Sequence, residues 1–239
     1  MEEEERNLSI IGHLEELRSR IIVIVIYLTI SVLLTFAFSD NIITWFKESF
    51  CQNIEVLYFF KPLEFFFTKI RVSLILSVLI TSPIIALQIW KFISPALFAK
   101  ERLYIKRLAF VSSFLFLVGA FLALKFLFPL VLDYTQGMET ANIQANISIQ
   151  SVINLAGMLM LGFGLVFQLP ILVFILIISN IVKHSTLSKF RPHIFVAVFI
   201  LSAVLTPPDI ISQLAMGIPA IILFEISLLI SRFMQKKDK

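Results

Sequence analysis

The chain has 239 residues, of which 59% are hydrophobic and 15% are charged, and its formal net charge is +4. A soluble domain has about a quarter charged residues, so too few charges remain here to build a polar surface. The same figures exclude intrinsic disorder, which requires low hydrophobicity and high charge. With 1 cysteine the sequence offers neither an intrachain disulfide nor a thiolate-rich metal site. The composition predicts an integral membrane protein, and the chain, residues 1–239, reads as one domain.

Six apolar stretches predict six membrane-crossing helices, because a bilayer core of roughly 30 Å requires about 20 apolar residues in a helix. The fourth stretch is too long for a straight perpendicular helix, and Pro170 predicts a kink in it. The fifth stretch is short. The predicted class is an all-α polytopic membrane protein. The predicted spans cover residues 21–38, 72–90, 108–132, 152–182, 194–206 and 214–231.

The segment before the first span carries apolar residues at helical spacing, which predicts an amphipathic helix over about residues 8–20, lying on the membrane surface. Within it, Glu16 and Arg20 are four residues apart, the spacing of a surface salt bridge. On geometry alone, such a pair and a binding role for these side chains are about equally favoured.

The basic residues predict the orientation of the helices. They concentrate in the connectors after the second and fourth spans and at both termini, which places both termini in the cytoplasm. The loop after the first span dilutes this bias, because it also contains four basic residues: Lys47, Lys61, Lys69 and Arg71. Membrane topology therefore explains the net positive charge, and no nucleic-acid partner is expected.

The sequence lacks the motifs of several catalytic classes. It has no glycine loop of the Walker A type, no His/Cys cluster at metal-binding spacing and no Gly-x-Ser-x-Gly turn. Neither a nucleophile–base pair nor paired aspartates occur inside the spans. We therefore expect that the protein is not an enzyme and that it uses no cofactor and no metal.

Two further segments combine polar and apolar residues. In the connector after the second span, Pro95 is expected to break or kink the helix and to leave Phe92, Leu97 and Phe98 as an apolar patch. Glu101 is the one acid in this basic run. Such aromatic residues are more often interface anchors than a binding surface. Gln168 lies near the middle of the fourth span, where an unsatisfied amide is costly. It is expected either to donate to the kinked backbone or to face a cavity.

The last two spans carry the remaining polar candidates. Thr206 and Gln213 flank a Pro-Pro turn on neighbouring helices, where polar side chains can hydrogen-bond a partner transmembrane helix. Asp209 is able to cap the helix that follows the turn. Glu225, an acid in an apolar run, must face a cavity, a partner or the membrane boundary.

Four motifs in this order resemble the TatC family, the polytopic core of the twin-arginine protein translocase. The resemblance covers nearly the whole chain. The motifs are His13-Leu14-x-Glu16-Leu17-Arg18-x-Arg20, Trp90-x-Phe92-x-x-Pro95-x-Leu97-x-x-x-Glu101, Phe167-x-Leu169-Pro170 and Thr206-Pro207-Pro208-Asp209-x-x-Ser212-Gln213.

The resemblance implies a receptor for folded proteins whose signal peptides carry two consecutive arginines. It implies a concave, glove-like bundle with short fifth and sixth helices, in the bacterial inner membrane. The family's arginine-recognition acids correspond to Glu16 and Glu101, and a carboxylate is able to accept a guanidinium bidentately. The other residues assigned to signal-peptide binding are Arg18, Arg20, Phe92, Pro95 and Leu97.

The resemblance also implies partners and an energy source. TatA- and TatB-type single-span proteins are expected to dock near Thr206 and Gln213, and the protein is expected to form a homo-oligomer within the complex. Transport is expected to use the proton motive force. Many family members carry glutamate at the position of Gln168, and because glutamine does not titrate, a proton-carrying role is in doubt here. The alternative function, a small-solute or ion transporter, requires a polar path across the membrane, which the spans do not offer.

Overall fold

The structure, a computed structural model, describes residues 2–52, 54, 56–93, 105–137, 146–178, 182, 184–206 and 210–235. Over these residues the fold consists of α-helices, a π-helical turn at Ala123–Leu127 and one isolated β-bridge between Tyr58 and Ser148. The helices are α1 (Glu2–Ala37), α2 (Ser39–Phe50), α3 (Glu64–Ile93), α4 (Ile105–Leu122), α5 (Phe128–Gln136), α6 (Ile149–Val166), α7 (Leu169–Ile178), α8 (His184–Lys189), α9 (Arg191–Leu205) and α10 (Ile210–Gln235).

Five segments within the described residues are long and apolar enough to cross a membrane. The fifth of the six predicted helices is α9, which has 15 residues. The apolar segment of α10, Ile210–Leu229, has 20 residues, whereas the other four have 26 to 31. The predicted all-α class with short fifth and sixth helices is therefore confirmed.

Helix α1 differs from the predicted division into a surface helix and a separate span. It runs without a break from Glu2 to Ala37. The sequence between the polar and apolar parts contains no proline, and Glu, Leu and Arg are good helix formers, so nothing interrupts the backbone hydrogen bonds there. The polar residues before the first span are consequently rigid extensions of that span.

Helix α1 packs along α3, and α3 packs against both α4 and α6. A second group joins α7, α9 and α10. We call the end where α1 begins and α3 finishes the proximal end, and the opposite end, which carries α2, the distal end. At the distal end the bridge between Tyr58 and Ser148 connects the loop before α3 to the loop before α6.

A seam of small hydroxyl residues lies between α1 and α3. The Thr35 hydroxyl donates to the Ser73 carbonyl at 3.1 Å and lies 3.1 Å from the Ser77 hydroxyl. Both serines are fully buried. Small residues let two helices approach closely in a membrane, where apolar packing alone gives little preference for helix over lipid. The seam therefore holds the distal part of α1 against α3.

Candidate functional site: a charged cluster at the proximal end

The charged cluster lies where α1 passes the last turns of α3. The Arg20 guanidinium donates to Glu16 Oε1 through both Nε, at 3.1 Å, and Nη2. Its Nη1 donates to Gln88 Oε1 at 3.2 Å, and Gln88 belongs to α3. The salt bridge that the spacing of four residues predicted is therefore formed, and Gln88 of α3 is the second partner of Arg20.

The same carboxylate also faces His13. The distance between His13 Nδ1 and Glu16 Oε2 is 3.8 Å. The His13 ring stacks on Phe92 of α3, with ring centroids 4.4 Å apart. Together, the stack and the bond to Gln88 hold the polar part of α1 against the end of α3.

Glu16 is partly open to solvent, with about a third of its side chain exposed. Oε1 accepts hydrogen bonds from Arg20. Oε2 lies 3.8 Å from His13 Nδ1, which is longer than a hydrogen bond. Arg18 lies on the exposed side of α1. The cluster therefore presents a positioned carboxylate that already binds one guanidinium and retains acceptor capacity for another donor.

Three of the predicted signal-peptide residues, Pro95, Leu97 and Glu101, lie outside the described residues, as does Asp209. The structure brings together Glu16, Arg20 and, through His13, Phe92. A shared arginine-recognition site of Glu16 and Glu101 therefore stays a prediction.

Gln168 lies apart from this cluster, at a break in the fourth span. Helix α6 ends at Val166 and α7 begins at Leu169, one residue before Pro170, so the predicted kink is an interruption. The Gln168 amide donates to the Ser112 carbonyl at 3.0 Å and to the Gly164 carbonyl at 3.3 Å. The Ser112 hydroxyl donates to Gln168 Oε1.

Both expectations for Gln168 therefore apply. The side chain satisfies backbone carbonyls, and it also lines a cavity of about 290 Å³. Most of that lining is apolar, with hydroxyls from Ser82, Ser112 and Ser113. Gln168 joins α4 to the break between α6 and α7 and keeps a polar surface at the cavity.

The polar residues of the last two spans bind within their own helical hairpin. Thr206 is buried and donates to the Ser202 carbonyl at 2.8 Å. Gln213 is partly buried and donates to the Phe199 carbonyl at 3.1 Å, which links α10 to α9. Of the two, Gln213 is the one that leaves part of its side chain at the surface.

Glu225 forms an ion pair across the same hairpin. Its Oε2 lies 3.0 Å from Nη2 of Arg191, at the start of α9. Both side chains are partly exposed. Because Arg191 is the first residue of α9, the pair lies near the end of that helix, which agrees with the membrane-boundary explanation and gives the acid a cationic partner.

Sequence reasoning missed two residues that organise the ends of the bundle. In the sequence Gln88 only interrupts an apolar run, and the sequence does not reveal which helix faces α1. Glu64 is buried at the start of α3 and accepts hydrogen bonds from the Phe60 and Lys61 amides, at 2.8 and 3.1 Å. An acid two residues after a proline is a recognisable helix start, and this signal could have identified Glu64 as a capping residue.

Within the described residues, five helices long and apolar enough to cross a membrane, the shorter apolar α9 and a charged cluster at one end define a multi-pass, all-α membrane protein. Residues 12–219 match the family model described as Sec-independent protein translocase protein (TatC). The chain is 35% identical over 236 residues to the protein of that name from Carboxydothermus hydrogenoformans, covering 98% of this chain and 97% of the relative. The relative from Helicobacter pylori strain J99 is 32% identical, with 95% and 90% covered.

The fold agrees with a solved structure of the same family. The twin-arginine translocase receptor TatC, crystallised in DDM, superimposes with a TM-score of 0.82 at 31% identity, covering 92% of this chain and 99% of that chain. The chain belongs to the TatC family and is a component of a protein translocase. The family assignment expected from the four motifs is confirmed.

Proposed function

We propose that this protein is the signal-peptide receptor of a twin-arginine translocation system in the bacterial inner (cytoplasmic) membrane. It binds twin-arginine signal peptides of folded cargo at Glu16 and Glu101. It also recruits TatA- and TatB-type single-span proteins, and several copies assemble in one complex that uses the proton motive force. The observation that carries this proposal is the geometry of Glu16, which already accepts a guanidinium at the proximal end of the bundle.

The chemistry of the cluster favours arginine as the ligand. A guanidinium presents a planar fork of donors, whereas the lysine ammonium is a compact and strongly hydrated charge. The Arg20 guanidinium binds Glu16 through two nitrogens, and Gln88 receives a third. An incoming arginine is able to use Oε2 of Glu16 or to displace Arg20 from Oε1. Arg18, on the exposed side of α1, belongs with Arg20 to the proposed signal-peptide surface.

The orientation of the bundle supports a cytoplasmic position for this cluster. The connectors at the proximal end and both termini hold most of the basic residues, as the positive-inside rule requires of cytoplasmic segments. Signal peptides of folded cargo would then meet Glu16 before transport. The distal end, with Thr206 and the partly exposed Gln213, would face the periplasm and is the proposed docking site for the single-span partners.

The first test measures export of a twin-arginine substrate by cells that carry the variant as their one copy of this protein. We expect Glu16→Ala combined with Glu101→Ala to reduce export at least tenfold while the variant remains at its normal level in the membrane. Glu15→Ala is the matched control, since Glu15 is an exposed acid on the same turn of α1. Normal export by the double variant would contradict signal-peptide binding at these acids.

The second test uses photocrosslinkers in the membrane-embedded complex. A crosslinker at position 101 should capture the signal peptide, and one at position 213 should capture a single-span protein. A crosslinker at Ile222, an exposed position on the same helix as Gln213, is the control for proximity to any membrane protein. Equal capture of the single-span protein at positions 213 and 222 would rule out a docking site at Gln213.

A further inference from the structure

A cavity of about 470 Å³ opens at the distal end, between the end of α2 and the helix that runs from α4 into α5. Its inner wall contains three buried residues, Cys51, Ile54 and Leu132. Its rim carries two charged side chains of opposite sign, Lys125 and Asp133, both exposed. Ser49 and Gln52 also line the cavity, and the remaining lining is apolar. A largely apolar cavity lined by a cation and an anion is suited to a ligand that has both charges and an apolar body.

The π-helical turn places Lys125 at this rim. The turn Ala123–Leu127 inserts an additional residue into the third span, and such insertions are frequent at functional sites. The Lys125 ammonium lies 5.8 Å from the ring centroids of both Phe121 and Phe126. Both rings are more than half exposed. Among the described residues neither Lys125 nor Asp133 has an ion-pair partner, so both charges remain available to a ligand.

The two charges lie at different depths in the membrane. The third span extends over Ile105–Thr135, so Asp133 is two residues from its end and Lys125 is ten residues from it. The Cα positions of the two residues are thus separated by about 12 Å along the helix, at about 1.5 Å per residue. The long lysine side chain is able to extend toward the membrane surface and shorten this separation. The cation is therefore the deeper charge, and the carboxylate lies nearer the water.

We propose that this cavity binds the headgroup of phosphatidylethanolamine from the leaflet at the distal end. The lipid phosphate, which is nearer the acyl chains, pairs with Lys125, and the outer primary ammonium pairs with Asp133. Phe121 and Phe126 lie along the acyl chains. The order of charges in the lipid matches the order of charges along the helix.

The same charges discriminate against the other common headgroups. Phosphatidylglycerol has the phosphate but no cation, so its headgroup leaves the Asp133 carboxylate unpaired beside a negative charge. The quaternary ammonium of phosphatidylcholine has no N–H to donate to a carboxylate. Phosphatidylethanolamine is therefore the one of the three that satisfies both rim residues.

The test incorporates the full chain into nanodiscs that contain equal amounts of the three lipids with identical acyl chains. The chain is then released, and the lipids that remain bound are counted by native mass spectrometry. We expect the unmodified protein to retain phosphatidylethanolamine at least fivefold over each of the other two. Lys125→Gln should lower the retained phosphatidylethanolamine at least fivefold. Asp133→Asn should abolish the preference over phosphatidylglycerol while binding of a phospholipid persists.

Two controls make the same chemical changes outside the cavity. Lys61→Gln and Glu48→Gln replace exposed charges that do not line it, and both should retain lipid as the unmodified protein does. Preferential retention of phosphatidylglycerol by the unmodified protein would overturn the proposal in favour of a simple anionic-lipid site. Equal retention of the three lipids, or a preference that neither rim substitution alters, would also overturn it.

Discussion

Arg20 of α1 and Gln88 of α3 are joined by a hydrogen bond of 3.2 Å, although 68 residues separate them in the chain. The same guanidinium holds the Glu16 carboxylate. Gln88 therefore positions Glu16 indirectly, because it holds the Arg20 guanidinium, which in turn binds the Glu16 carboxylate. Toward the distal end, the seam around Thr35 and Ser77 provides a second contact between the same two helices.

The first prediction concerns this positioning role. Gln88→Leu removes the acceptor of Arg20 Nη1, a hydrogen bond to a charged group worth about 1.5–3 kcal/mol. We expect the affinity for a twin-arginine signal peptide to fall roughly tenfold, with Glu16 still present. Fluorescence anisotropy with a labelled signal peptide measures the effect. Gln52→Leu is the control, since it makes the same change at an exposed residue at the distal end. Unchanged affinity in Gln88→Leu would show that Arg20 needs no support from α3.

The second prediction concerns the polar contact at the break in the fourth span. Gln168→Leu leaves the Ser112 hydroxyl and two carbonyls without this partner, at a cost of about 1–3 kcal/mol for each buried group that stays unsatisfied. We expect a lower unfolding temperature in detergent. Combined with Ser112→Ala, the loss should be smaller than the sum of the two single losses, because the two residues share their hydrogen bonds.

Ser113→Ala provides the control for this double-mutant cycle of Gln168 and Ser112. Ser113 is adjacent in sequence, but its hydroxyl pairs with Ser82 at 3.1 Å and not with Gln168. The effects of Ser113→Ala and Gln168→Leu should therefore add. Additivity in both cycles would contradict the coupling between Ser112 and Gln168.

Much of the fold could be predicted from the sequence because membrane spans are set by length and hydrophobicity. The short α9 and the break near Pro170 have local causes, which a sequence displays directly. Side-chain contacts between different helices do not have local causes. Gln88 meets Arg20, and Ser112 meets Gln168, because of how helices distant in the sequence pack.

Only part of the site could be predicted from the sequence, because some of its contacts are local and others depend on tertiary packing. The spacing of Glu16 and Arg20 indicated their ion pair, since a helix places residues four apart on one face. The stacking of His13 on Phe92 requires the docking of α1 on α3, and the π turn at Lys125 has no sequence signature among the propensities of its residues. Tertiary packing, which a single sequence does not display, determines both.

The third prediction concerns the close approach of α4 to α6. A Cβ atom on Gly119 would lie 2.8 Å from the Phe163 carbonyl oxygen, which is backbone and unable to rotate away. Gly119→Ala should therefore destabilise the protein by about 1–3 kcal/mol through overpacking. Thermal unfolding in detergent measures this. Gly12→Ala is the matched control, because nothing lies within 4 Å of the position that its methyl group would occupy and alanine favours a helix. Equal shifts in the two variants would contradict the clash.

The fourth prediction concerns the reactivity of Cys51. Burial raises the pKa of this thiol to about 11, against the opposing effect of the Lys47 charge. Since the thiolate is the nucleophile, only about one thiol in a thousand is reactive at pH 8. We expect slow labelling by N-ethylmaleimide at neutral pH and a rate that increases with pH up to about 11. Gln52→Cys in a Cys51→Ser background places the thiol at an exposed neighbour and should react at least tenfold faster at pH 8. Similar rates for the two thiols would contradict the burial of Cys51.

The last prediction concerns Glu64, which connects the two loops of the distal end. Its carboxylate accepts from the Phe60 and Lys61 amides and from the Ser148 hydroxyl, and Ser148 in turn caps α6 through the Gln150 amide.

Glu64→Ala leaves two backbone donors without their acceptor and frees the loop before α3 from the start of α6, at a cost of about 1–3 kcal/mol for each donor that stays buried. We expect faster proteolysis between residues 52 and 63 when protease is added at the distal side of sealed vesicles. Glu48→Ala, which removes an exposed acid at the same end, should leave the cleavage rate unchanged. Restoration of slow cleavage in Glu64→Gln, which keeps one acceptor oxygen, would attribute the effect to the lost hydrogen bonds. Cleavage of Glu64→Ala at the rate of the unmodified protein would show that the β-bridge at Tyr58 holds the loops without the carboxylate.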